Sequence, residues 1–415
     1  MTGRWRWAFL VAVATAVMAA CQERLTSPAE CPELCPGGSA QVFDTIVPAV
    51  ALRDSSFPTA AEGANGYVSR GQGTALLLSS GFAASEDRAI YRFAPRGDSI
   101  IARDTLRAYT VDSAMISLTV VARDTLVNGL KVYVYRLPST VDSTASFAAI
   151  DPLLTDANLI DSIAVPDSVN TGTIRTVLRG ADVARVALPP GGDSVLAIGL
   201  RMAAETPTGI RMGALASSSA ASFTSYITVD IADTGSIQHQ SLSRVTAFNI
   251  FTTQNPVVPV DSLLTVGGEP SSRALLRFGL SDAFLDSTTI VRATLELVPV
   301  RPILGLPTDP SILQTLAVVG DLGAKSPLTS DATFIRSDTL PAVQGDTVRI
   351  EITRIVQLWQ SSRTRPQSVF LRMLPEAATF ARAVFHSTRS HVSDGTDVAP
   401  RLRITYQRSF PFENP

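Results

Sequence analysis

Beyond residue 40 the apolar positions fall in short runs rich in Val, Ile, Leu and Thr, separated by Asp-Ser and Asp-Thr steps, Gly and Pro. Ala114–Val121 (AMISLTVV), Lys131–Leu137 (KVYVYRL), Ser194–Met202 (SVLAIGLRM), Thr347–Ile352 (TVRIEI), Ser368–Met373 (SVFLRM) and Arg401–Tyr406 (RLRITY) are of this kind. Alternation with period two sends successive side chains to opposite faces, so these runs predict strands with one buried face. Helical spacing is scarce. The one persuasive segment is Thr353–Gln360 (TRIVQLWQ), where Ile355, Val356 and Trp359 share a face and Thr353 is placed to cap the first turn. Many strands with almost no helix between them predict an all-β chain of antiparallel sandwiches, not a parallel α/β sheet.

The pattern is written twice. RAIYRF (Arg88–Phe93) is followed by AMISL, KVYVYRL, TIRTVLR and SVLAIGLRM, while RALLRF (Arg273–Phe278) is followed by ATLEL, ILQTLAVVG, TVRIEIT and SVFLRM. The same order with drifting gaps implies two copies of one module. The first is expected over 41–230 and the second over 243–408, with a linker at 231–242 containing Asp233, Gly235 and Ser236, and a tail at 409–415. The second copy is expected to fold by itself. In RALLRF, Ala274, Leu276 and Phe278 would line one face of a central strand, with Leu275 and Arg277 on the other.

The second copy resembles the DNRLRE-type domains of bacterial extracellular proteins. SLLTVGG (Ser262–Gly268), RALLRFGL (Arg273–Leu280), ATLELVPV (Ala293–Val300), TVRIEITRIVQLW (Thr347–Trp359), SVFLRM, AVFHS (Ala383–Ser387) and APRLRITY (Ala399–Tyr406) follow in the family's order. The first copy looks like a diverged member without a counterpart of Trp359. The resemblance implies two tandem antiparallel jelly-roll β-sandwiches, the second with a short helix. It also implies a carbohydrate-binding role, since some such domains are carbohydrate-binding modules.

The N-terminus changes the picture of location. Arg4 and Arg6 precede an apolar stretch, Ala8–Met18, too short for the roughly 20 residues that span a bilayer, and small residues lead to Cys21. Residues 1–20 therefore read as a signal peptide. Met18-Ala19-Ala20-Cys21 resembles the bacterial lipobox, which implies lipidation of Cys21, and Gln22 after the cysteine implies the outer membrane, facing the periplasm or the surface. Residues 21–40 form a spacer containing Pro and Gly. The remaining cysteines, Cys31 and Cys35, are an even pair for a local disulfide in an oxidising compartment; zinc, the alternative, lacks further ligands nearby.

A net charge of -2 over 415 residues gives no field for nucleic acid, and 45% hydrophobic residues supply cores. Catalytic chemistry is thin. Only His239, His386 and His391 are available, no nucleophile elbow occurs, and His386 beside Ser387 on a strand points away from it. His239 and His391 read as loop residues. Asp-Ser and Asp-Thr steps such as Asp98-Ser99, Asp112-Ser113, Asp261-Ser262, Asp338-Thr339 and Asp346-Thr347 suit strand entries, where the carboxylate accepts from turn amides. Structural calcium at such turns is the one cofactor this composition leaves open. Trp359 belongs to the core on its helical spacing, and no tyrosine stands out as a sugar platform. The expectation is a non-enzymatic envelope lipoprotein that binds polysaccharide, or alternatively a scaffold that binds protein partners.

Overall fold

The computed structural model describes residues 42–408, apart from 51–54, 59–63, 66, 188–193, 232–235, 257–258, 261, 341–344 and 391–396. Cys21, Cys31, Cys35 and His391, with the signal peptide, spacer and tail, lie outside the described residues. The rest is mostly antiparallel β structure, and no helix among the described residues is long and apolar enough to cross a membrane.

Period-two alternation accounts for the strands. Thr110–Arg123, Lys131–Leu137, Ala197–Ala203, Val348–Glu351, Ser368–Leu374 and Arg401–Arg408 overlap the six expected runs, with Ser194–Leu196, Thr347 and Ile352 falling outside the strands. One body is a ten-stranded sheet in the order Leu159–Ala164, Lys131–Leu137, Ala197–Ala203, Asp87–Phe93, Ser236–Thr253, Ser222–Ile231, Thr110–Arg123, Thr208–Gly213 and Ala75–Ser80, with Gly172–Arg179 beside Thr110–Arg123. It curls on itself. The pairing of Ser79 with Asp87 joins the last strand of that order to Asp87–Phe93. Leu76, Leu78, Tyr91, Phe93, Ile116, Ile198 and Phe223 fill the space inside.

The other body packs two sheets on one core. A seven-stranded sheet runs Ile335–Leu340, Ser311–Ala317, Ser368–Leu374, Ser272–Arg277, Leu263–Gly267 and Arg382–His386, with Ser55–Pro58 beside Ser272–Arg277. Facing it is a four-stranded sheet of Val42–Pro48, Arg401–Arg408, Thr288–Leu297 and Val348–Glu351. Leu264, Leu276 and Leu371 from the first meet Leu295, Ile350 and Ile404 from the second. Ala274, Leu276 and Phe278 join this core, while Leu275 is buried on the opposite face against Val318 and Phe370.

The helix forms at Thr353–Ser361, with Ile355, Val356 and Trp359 buried as their spacing required. Its start differs from expectation. No side chain caps it; the Thr353 hydroxyl instead accepts from Ala293 N at 2.9 Å and donates to Glu351 at 3.1 Å, fastening the helix to the sheet.

The expected divisions of the chain are corrected at both ends. Residues 231–242 are no linker: Ser222–Ile231 pairs with Ser236–Val245 in register, Ile231 opposite Ser236. That segment reads as polar because the stretch from Ser236 to Leu242 is half-buried or exposed throughout. The strand then runs on to Thr253 beside Asp87–Phe93, so 243–253 belongs to the first body. Conversely Val42–Pro48 pairs with Arg401–Arg408, and Ser55–Pro58 with Ser272–Leu275, both in the second body. Two smaller expectations also change. Asp112 and Asp338 lie inside strands, and His239 is an exposed strand residue accepting or donating at 2.9 Å to Thr228.

Candidate functional site: the Arg88 cleft

The repeated motif contributes to an open cleft on the first body. Along Asp87–Phe93, Ala89, Tyr91 and Phe93 enter the main core, which turns Arg88, Ile90 and Arg92 to the other face. There Arg88 is buried. A cation removed from water costs several kcal/mol unless paired, and its guanidinium is paired: with Glu86 at 2.7 Å and Asp151 at 2.8 Å, over the Phe147 ring at 5.0 Å. Phe147 opens a one-turn helix, Phe147–Ile150, started by the Ser146 hydroxyl, which accepts from Ala149 N. Asp151 follows directly.

With Ser80, Arg201 and Gln254 these residues line a cavity of about 360 Å³. No ion pair among the described residues engages Arg201. The cleft thus presents carboxylate acceptors, a guanidinium donor, amide and hydroxyl groups and one ring edge, a set suited to hydrogen bonding a polyhydroxylated ligand. Both carboxylates are paired with Arg88.

Asp87 faces the opposite way, towards the second body. Its Oδ2 accepts from Ser79 at 2.5 Å and its Oδ1 from Thr253 at 2.6 Å. Its carboxyl also shares a hydrogen bond with Glu269, carried on the turn between Leu263–Gly267 and Ser272–Arg277. Burial pushes both carboxyls up; for Glu269 the Asp87 charge adds to the rise and Arg382 opposes it, and for Asp87 the Ser79 and Thr253 hydroxyls oppose it. Two carboxyls hydrogen-bonded to each other hold one proton between them. The adjoining recess, lined by Phe82, Ser85, Asn255, Phe380 and Arg382, has about 30 Å³, the room of a water molecule. A polymer chain does not fit there, so this pair joins the bodies and does not meet substrate. Arg211 and Asp309 pair at 3.1 Å across the same junction, and Phe380 of the second body packs in the first body's core.

A third feature is the outer face of the four-stranded sheet, a groove of about 400 Å³. Arg403 binds Asp44 at 2.6 Å, Arg401 and Arg349 bind Glu296 at 2.7 and 3.4 Å, and Arg292 faces Glu351 at 3.8 Å. The charges compensate one another and no aromatic ring lines the groove.

The residues singled out from sequence do not form a site together. Trp359 is 1% exposed, beside Phe278 with ring centroids 6.1 Å apart. The buried Ser387 hydroxyl donates to Ser262 O at 2.7 Å, so its proton is not directed at His386. Burial lowers the His386 imidazole. Among the described residues no group of three or more His, Cys, Asp or Glu side chains is gathered to hold a metal. Sequence reasoning missed Glu86, Asp87, Asp151 and Glu269. The signal for the first two was the acidic step immediately before RAIYRF; Asp151 and Glu269 reach the site through tertiary pairing alone.

No family model matches the chain, and no curated protein does. Among solved structures, an alpha-L-rhamnosidase from Dictyoglumus thermophilum aligns with 77% of this chain at 7% identity and a TM-score of 0.14. The chain spans 35% of that protein's length, and at this score the likeness carries no argument.

Proposed function

We propose that this chain is a non-catalytic cell-envelope lipoprotein, anchored in the outer membrane through Cys21, whose two β bodies are tandem DNRLRE-type jelly-roll modules that bind polysaccharide. The observation that carries the binding reading is the Arg88 cleft: about 360 Å³ of largely polar wall, built around a buried arginine paired with two carboxylates, with Arg201 in no ion pair among the described residues. A preformed polar wall lowers the ordering cost of binding a flexible sugar chain. One ring edge and no broad aromatic platform fit weak binding per site.

The module reading is supported by strand pairing. In each body the RxxxRF strand lies beside the SVxxxxLRM or SVFLRM strand, which lies beside KVYVYRL or ILQTLA, which lies beside an edge strand. Likewise AMISL pairs with TIRTVLR, and ATLEL with TVRIE. The first arginine of each motif also plays the same part: Arg273 lies 4.1 Å from the Tyr67 ring and binds Glu376 through two bonds of 2.6 and 2.8 Å.

The scaffold reading has one specific observation in its favour. Ile101 and Leu106 oppose each other on the hairpin Ser99–Ala102 and Thr105–Ala108, and both are largely exposed, a surface that suits a protein partner. Retention of the full chain on a panel of insoluble polysaccharides separates the two. The binding reading expects retention that Arg201→Ala and Asp151→Asn each weaken; the scaffold reading expects no retention on any member of the panel.

A further inference from the structure

The two bodies match strand for strand except in where one strand comes from. In the first body, Ser236–Val245 pairs with that body's last strand, Ser222–Ile231, and the same strand continues as Thr246–Thr253 beside the RAIYRF strand. In the second body the equivalent places, beside Arg401–Arg408 and beside Ser272–Arg277, are taken by Val42–Pro48 and Ser55–Pro58. Yet 236–253 precedes the second copy in the chain, and 42–58 precedes the first. Each copy is closed by the strand that leads into the other.

We propose that the two modules are completed by reciprocal exchange of their leading strands, so that the second body carries a strand-acceptor groove whose occupants are Val42–Pro48 and Ser55–Pro58 of this chain. Antiparallel neighbours joined by a short turn are the default connection, and in a simple tandem 42–58 would lie against Ser222–Ile231 and Asp87–Phe93. Exchange of equivalent elements costs little, because the same contacts are made in both arrangements. Strand addition at an open edge supplies main-chain bonds for affinity and side-chain pockets for register.

The seat of the donor is specific. Seven residues pair in continuous register from Val42 opposite Gln407 to Pro48 opposite Arg401, and Ala49 N and Val50 N continue to Pro400 O and Arg277 O at 2.9 and 2.8 Å. Ala49 is buried in the second body's core, with Val47 packed against it. On the outer face the Asp44 carboxylate accepts from Arg403 Nε at 2.7 Å and from the Thr405 hydroxyl at 3.1 Å. Phe43 stacks on Tyr406 with centroids 5.6 Å apart, and the Arg408 guanidinium lies over the Phe43 ring at 5.0 Å. A further consequence is that 243–408 lacks the strand that closes it, in contrast to the expectation that it folds by itself.

The test uses amide hydrogen exchange on the full chain with Thr45→Pro, which removes a ladder donor and forces the donor strand out of register. Exchange predicts that protection falls at least about tenfold in Arg401–Arg408 and Ser272–Arg277, while Ser222–Ile231 and Asp87–Phe93 keep theirs. Loss of protection in the latter pair instead would overturn the proposal. A second measurement stands if that variant misfolds: a chain beginning at residue 64 should lose the same protection and regain it saturably when a peptide of residues 41–59 is added. Equal recovery with a scrambled peptide, or no loss on truncation, also overturns it.

Discussion

Trp359→Ala tests how the second body is held together. The indole is 1% exposed on the inner side of the helix Thr353–Ser361, in one cluster with Phe278, Leu285, Ile355 and Val356. A Trp side chain buries about 150–250 Å², worth about 4–6 kcal/mol at about 25 cal/mol per Å². Two effects reduce the net loss. The unfolded chain already hides part of this surface, and the Trp359 Nε1 proton has no hydrogen-bond partner among the described residues, a desolvation cost of about 1–3 kcal/mol that the alanine removes. Against this stands the cavity left behind, since helix and sheet are fastened through Thr353 and Ala293 and collapse little. The expected net loss is about 3–5 kcal/mol. Urea unfolding at constant slope measures it, with Trp359→Phe as a milder companion that fills part of the space. A loss below about 1 kcal/mol, or a water-exposed emission spectrum for Trp359 in the native chain, would refute the reasoning.

Cys21→Ser should abolish lipid attachment and release the chain from membranes; continued metabolic labelling with palmitate would contradict the lipobox reading. Gly209→Ala should destabilise the junction by about 1–3 kcal/mol, because a Cβ there would lie 2.5 Å from the Phe380 ring; an unchanged urea midpoint would show that the ring yields freely. Folded carboxyls raised by burial are stabilising below the ordinary carboxyl range of about 4 and lose that contribution as pH rises through their folded values, so the Asp87–Glu269 pair should make the junction weaken with rising pH. Glu269→Gln keeps a hydrogen-bond donor towards Asp87 and should flatten that dependence in pH-resolved unfolding; an unaltered slope would contradict the shared proton.

Strand identity was legible because burial of one face imposes period two, and Thr353–Ser361 because Ile355, Val356 and Trp359 fall on one helical face that meets the core. Thr353 was misassigned for a local reason: a threonine at a helix start suits a cap, and only the neighbouring strand reveals that Ala293 N claims its hydroxyl. The segment 231–242 looked like a linker since Asp233, Gly235 and Ser236 signal a turn and the flanking strand is polar on both sides. A turn between paired strands and a turn between domains use the same residues. The pairing of Val42–Pro48 with Arg401–Arg408 spans nearly the whole chain, and no local pattern encodes the partner of a strand. The cleft was hidden similarly: Arg88 sat in the quoted motif, but Asp151 and Arg201 join it only through the sheet order.

Hydrogen-exchange footprinting of the full chain with a retained polysaccharide tests the binding claim most directly. Added protection is expected around Glu86–Arg88, Phe147–Asp151 and Arg201–Ala204, which line the cleft, and it should vanish in Arg201→Ala. Protection confined to the Arg349 and Arg403 face, or a folded chain that no polysaccharide retains, would contradict it.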